Sequence, residues 1–284
     1  MPVEHELKVG VFVVPDAENR ELTVDQVVAA DASGLDVVGI QDHPYQRRFF
    51  DTWTLLSYLA ARTERIALVP DVANLPLRQP AVLAKSAASL DLLSAGRVEL
   101  GLGAGAFWEA IEAMGGPRRS AKEAVDALEE AIAVIRAMWS GERGLRVGGE
   151  HYRLAGVHSG PRPAHPIGIW LGAAGPRMMR ITGRLADGWL PSMSWLDPDG
   201  IADRHRVIDE AARRAGRDPA DVRRVVNAGP VTAYDADGLV RLAADHRFDT
   251  ILLGPDEDDP VGSIRRLGED LAPRARATAA GLGH

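Results

Sequence analysis

Four short clusters hold the residues best able to do chemistry: Gln41-Asp42-His43, Asp71-Val72-Ala73-Asn74, Gly103-Ala104-Gly105 and Gly172-Ala173-Ala174-Gly175-Pro176-Arg177. Each follows a short apolar run of the kind that forms a buried strand, so each falls where a strand stops and a loop begins. A histidine there titrates near physiological pH and can bond a ligand or exchange a proton with it; it can equally bond a neighbouring backbone group. The glycines at 101, 103 and 105 admit either a ligand close to the backbone or tight packing within a sheet. They lack the spacing of a dinucleotide fingerprint. The small-residue loop 172–175 is the better phosphate candidate. Pro176 suits the first turn of a helix, whose free amides and positive dipole end would face an anion, and Arg177 would add charge.

The stretch 66–105 predicts the scaffold that positions these clusters, because IALVPDV, PAVLAKSAASLDLL and VELGLG read as strand, helix and strand. Strand-like runs recur at 8–14, 36–41, 66–72, 98–103, 167–173, 188–192, 223–228 and 249–254. Helix-like segments alternate with them near 23–33, 51–62, 80–93, 120–139, 176–186, 199–215, 235–245 and 260–271. Eight such pairs predict an α/β fold, a (β/α)8 TIM barrel forming one domain over 1–284. The Gly-, Pro- and His-rich stretch 141–166 reads as an insertion after the fourth helix, with a hairpin LRVGGEHYRL turning at Gly148-Gly149, and 277–284 as a flexible tail. In such a barrel the strands' C-terminal ends carry the active site, which gathers the four clusters with Pro191-Ser192 and Asn227-Ala228-Gly229.

With 284 residues, 46% of them hydrophobic and 26% charged, the chain can bury one large core. A net charge of -7 gives no electrostatic footprint for nucleic acid or an anionic membrane. The absence of cysteine excludes disulfides, thiolate metal sites and a Cys nucleophile. The opening MPVEHELKVGVFVV lacks the order of a signal peptide, so a cytoplasmic protein is expected.

The segments DVVGIQDHPYQRRFFDTWTLLSYLAARTERIALVPDV, RQPAVLAKSAASLDLLSAGRVELGLGAGAFWEA and LGAAGPRMMRITGRLADGWLPS together resemble the bacterial-luciferase-like family of flavin- and F420-dependent oxidoreductases. The resemblance implies hydride transfer between F420, or alternatively FMN, and an organic substrate. It puts His43 beside the cofactor ring as the catalytic residue, and a non-prolyl cis bond at Asp71-Val72 behind the ring. Asp42, Asp71, Val72, Ala73, Asn74, Gly103, Ala104, Gly105, Gly172, Ala173, Ala174, Gly175, Pro176, Arg177 and Ser192 become the expected cofactor contacts. Two departures bear on substrate: Ala106 stands where the family's F420-dependent sugar-phosphate dehydrogenases have a catalytic glutamate, and Trp195 where they have a phosphate-binding lysine. The aromatics Phe49, Phe50, Trp53, Phe107, Trp108 and Trp195 suit a hydrophobic or planar substrate, with core or dimer interface left open for Trp53 and Trp108. Relatives are commonly homodimers, so a homodimer is expected. Competing readings are an FMN monooxygenase with a separate reductase partner, a non-catalytic flavin-binding barrel, and a metal hydrolase built on Asp42, His43, His151, His158 and His165.

Overall fold

The computed structural model describes residues 6–282. Its parallel staves are β1 (Lys8–Val13), β2 (Val37–Ile40), β3 (Ala67–Pro70), β4 (Ala73–Asn74) and β5 (Leu100–Gly103). After a hairpin, β6 (Leu145–Val147) and β7 (Leu154–Val157), come β8 (Ile169–Gly172), β9 (Gly188–Trp189), β10 (Arg223–Pro230) and β11 (Thr250–Gly254). The sheet runs β3-β2-β1-β11-β10-β9-β8-β5-β4, and a parallel bridge from Leu68 to Val98 closes it. Because β3 and β4 are halves of one strand interrupted at Asp71-Val72, the nine segments make the eight staves of a TIM barrel. Staves such as β2 and β5 are buried at every position, as strands covered by helices on one side and a filled lumen on the other must be.

Around them lie α1 (Arg20–Ala32), α2 (Thr52–Ala60), α3 (Pro80–Leu93), α4 (Trp108–Ala113), α5 (Ala121–Trp139), α6 (Pro176–Leu185), α7 (Ile201–Arg214), α8 (Ala236–His246), α9 (Pro260–Arg266) and α10 (Ala272–Leu282). Local chemistry starts several of them. Asp51 caps α2, Gln79 caps α3 ahead of Pro80, and Ser120 with Glu123 forms a capping box on α5.

Two expectations need correction. The tail from 277 is not frayed: α10 continues to Leu282, because an alanine-rich run favours helix, Ala272 and Ala275 are fully buried, and Arg276 bonds the Leu7 carbonyl and Asp36. Residues 283–284 lie outside the described residues. The insertion does form an antiparallel hairpin, but its loop spans 148–153 rather than turning at two glycines. The cause is Glu130 on α5, whose carboxylate accepts from the amides of Glu150, His151 and Tyr152 and pins the wide loop to the barrel.

Candidate active site

The end of β2 is fixed by a charge clamp. The Asp42 side chain is fully buried and accepts from Arg78 Nε at 2.7 Å, Arg78 Nη2 at 2.6 Å and the Asn74 amide at 2.9 Å. Arg78 Nη2 also donates to Asp51 at 2.8 Å. A bidentate pair of this kind is rigid, and it locks the loop after β2 to the loop after β4. Asp42, expected among the cofactor contacts, is thereby engaged by protein donors and acts by holding its neighbour in place.

That neighbour, His43, is half-buried at the mouth. Its Nδ1 lies 3.2 Å from the Tyr45 hydroxyl, and its ring sits 5.3 Å from that of Phe107 and 5.4 Å from that of Tyr45. Burial pushes the imidazole below its ordinary range, against the opposing pull of the Asp42 charge, so His43 is neutral at pH 7. Burial, with the same charge, pushes the Tyr45 phenol up to about 12.

At the interruption of the third stave the Asp71-Val72 peptide is cis. The Val72 side chain projects across the lumen between facing glycines. A Cβ on Gly103 would lie 2.8 Å from Val72 Cγ2, and one on Gly172 2.9 Å from the same atom. Gly101 would meet the Pro70 carbonyl at 2.1 Å, and Gly105, at φ +102°, would meet Pro76 at 2.6 Å and Trp108 at 2.9 Å. The glycine run packs closely against these groups. Gly103 and Gly105 make room for Val72, Pro76 and Trp108. Ala104 is half-buried between them, and Ala73 is fully buried.

Beneath Val72 the Asp71 carboxyl is buried, and its Oδ2 has no partner. Desolvation pushes it up to about 7, opposed by a hydrogen bond with the Asn227 side chain. Asn227 Oδ1 and Asn74 Oδ1 are also buried without partners. Three buried side-chain oxygens without partners among the described residues thus lie just after β3, at the end of β4 and within β10.

Opposite, β8 runs into α6. Gly175 is the N-cap and offers no side-chain cap, so the first amides of α6 are free; Ala174, Gly175 and Pro176 are exposed, and a Cβ on Gly175 would meet nothing within 4 Å. The buried Ala173 carbonyl accepts from Trp189 Nε1 at 2.9 Å, which fixes the loop. Arg177 turns away from it: its guanidinium pairs with Asp126 and lies 3.9 Å from Glu129, both on α5. Arg177, the expected phosphate contact, is thus an inter-helix tie. Ser192 is half-buried and bridges in parallel to Asn227.

The aromatic residues divide. Phe107 is 46% and Trp195 66% exposed. Trp108 packs over Gly105, and Phe49 pairs with Asp16 beyond β1. Phe50 packs on the core. Trp53 is buried beside a cleft between α2 and α3, on the outer face of the barrel. The histidines of the metal reading do not gather. His158 Nδ1 accepts from the Gly144 amide and His165 Nδ1 bonds Asp91, while among the described residues no group of three or more His, Asp or Glu side chains could hold a metal.

Sequence reasoning passed over Tyr45 and Arg78, and gave Asn227 a place at the mouth but no role. Tyr45 lies two residues beyond His43 within the motif itself, and Asn227 ends a predicted strand, so both carried a positional signal; Arg78 is 36 residues from Asp42 and carried none.

The luciferase-like monooxygenase family matches residues 7–280. An F420-dependent glucose-6-phosphate dehydrogenase of Intrasporangium calvum is 35% identical over 266 residues, covering 89% of this chain and 78% of the relative. Another from Nakamurella multipartita is 35% identical over 259 residues, covering 87% and 74%. Among solved structures, an F420-dependent secondary alcohol dehydrogenase in complex with an F420-acetone adduct superposes with a TM-score of 0.82 at 18% identity, covering 95% of this chain and 99% of that one, a likeness of fold. With the barrel closed, the clusters gathered at its mouth and nearly the whole chain matched, this protein belongs to the luciferase-like monooxygenase family.

Proposed function

We propose that this protein is an F420-dependent oxidoreductase moving a hydride between the deazaflavin and a small apolar alcohol or carbonyl compound. The observation that carries this is the placing of His43 among Tyr45 and Phe107 at the barrel mouth, on a loop locked by Asp42 and Arg78. The relatives at 35% identity named F420-dependent support the cofactor. So do the residues themselves: Val72 offers a rigid apolar support, the orphaned Asn74 Oδ1 an acceptor for a ligand N–H or O–H, and the open α6 N-terminus amides for a phosphate.

When bound, F420 supplies a carbon that accepts or donates hydride. The chain does the rest. His43 Nε2 holds the proton at the substrate oxygen, Val72 fixes the plane behind the ring, and Phe107 and Trp195 narrow the mouth against water. Two departures favour an apolar substrate over the glucose 6-phosphate of the relatives' names: Ala106 and Trp195, the latter a large exposed ring at the position where a cation is expected. Glucose 6-phosphate remains the second reading, favoured by those names. The test is a panel of secondary alcohols and glucose 6-phosphate with F420, followed by loss of the oxidised cofactor's absorbance. Turnover of an alcohol alone supports the proposal, whereas turnover of glucose 6-phosphate alone replaces it. FMN in the same cradle would redirect the chemistry to monooxygenation with a reductase partner.

The same proposal includes a cytoplasmic homodimer. Val82 and Leu93 on α3 are 64% and 84% exposed and line a cleft of about 400 Å³ over Trp53, whose buried Nε1 has no partner among the described residues. An apolar patch of this kind suits a second copy, and light scattering on the purified chain measures it. A monomer at micromolar concentration would remove this part.

A further inference from the structure

The buried His205, Arg224 and Asp209 network is internally satisfied around the core, and the cleft of about 600 Å³ beside α8 holds nothing that points to a ligand. The phenol of Tyr45 carries an inference further. We infer that Tyr45 is the positioning residue of the site: its hydroxyl donates to His43 Nδ1, so that Nε2, with its hydrogen, is the nitrogen presented to the substrate oxygen.

A neutral imidazole has one N–H and one lone pair, and whichever nitrogen accepts a bond leaves the hydrogen on the other. Tyr45 Oη lies 3.2 Å from Nδ1, and a phenol donates more strongly than it accepts, so Nδ1 is the acceptor. Among the described residues Nε2 has no hydrogen-bond partner, yet it is not among the buried polar atoms that lack one, so it opens to the solvent of the mouth. The charged groups nearby do not compete for the ring, since Asp42 is held by Arg78 and the Asn74 amide, and Arg78 is held in turn by Asp51. Phe107 packs 5.3 Å from the imidazole and 6.0 Å from the phenol and contributes no polar group. Tyr45 thus sets the tautomer and the ring angle together.

The part played in turnover rests on the hydride-transfer proposal; the tautomer does not. In the reduction of a carbonyl, the hydride comes from the reduced deazaflavin and bonds the carbonyl carbon, while the C=O electron pair moves to oxygen. The hydrogen on Nε2 bonds that oxygen throughout. Solvent then supplies the proton that completes the alcohol, and His43 and Tyr45 end as they began.

The test compares the wild-type chain with Tyr45→Phe by nitrogen-15 NMR of the histidine rings across pH, without cofactor. The phenylalanine keeps the ring packing and removes only the hydroxyl. In the wild type, His43 should show the hydrogen on Nε2. In Tyr45→Phe its protonation midpoint should rise by about half a pH unit or more, since a bond favouring the neutral ring is gone. His165, held by Asp91 and Glu99 elsewhere, is the internal control and should not move. A His43 midpoint and tautomer unchanged in the variant, or a wild-type hydrogen on Nδ1, would overturn the inference. A separate F420 titration of both proteins tests the functional proposal, and its failure leaves the NMR result standing.

Discussion

At the scale of single residues, the site depends on two carboxyl groups treated in opposite ways. Asp42 is buried and held by a bidentate arginine, so removing it strands a buried guanidinium and an amide at once. Asp42→Ala should cost about 3 kcal/mol in urea unfolding, and a loss below about 1 kcal/mol would show that the clamp is not structural. Asp71 is buried with an oxygen unpartnered, and burial pushes it up to about 7. The unfolded chain releases this proton near the ordinary aspartate range, so between about pH 4 and 7 the folded state binds more protons than the unfolded one, and stability falls as pH rises through that window. Asp71→Asn should therefore stabilise the protein by about 2–3 kcal/mol more at pH 8 than at pH 5, as measured by denaturant midpoints. An equal effect at both values would place the carboxyl outside that window. Asp42-His43 and Asp71-Val72 were legible as chemistry from their place after apolar runs. That Asp42 holds the loops rather than a cofactor, and that Arg177 ties α6 to α5, was not, because their partners are remote in sequence.

At the scale of elements, the third stave, β5 and β8 work as one unit. Val72 fills the space that Gly103 and Gly172 leave, which explains three separate features of the sequence by one contact. Gly103→Ala would put its methyl 2.8 Å from Val72 Cγ2 and must displace the valine. We expect it to weaken F420 binding about tenfold or more, and Val72→Ala in the same chain to restore most of that loss. Additive losses in the double variant would disprove the coupling. All eight staves and their main helices were readable from buried-type strands and capped helical runs. The short α4 and the C-terminal half of α10 were not, the first because six residues carry too little periodicity and the second because an Ala- and Gly-rich end looks like a tail until Arg276 and the α8 face bind it.

For the whole molecule, the barrel brings residues from 42 to 227 to one mouth, and only its closure makes them neighbours. We propose that this mouth is shaped for a deazaflavin, with an apolar Val72 support, an orphaned Asn74 acceptor and the N-terminus of α6. Titration of the purified full chain with F420 and, separately, FMN under identical conditions, followed by fluorescence quenching, tests it most directly. A dissociation constant in the micromolar range for F420, with FMN about tenfold weaker or more, is expected. Tighter binding of FMN, or saturation by neither, would contradict it.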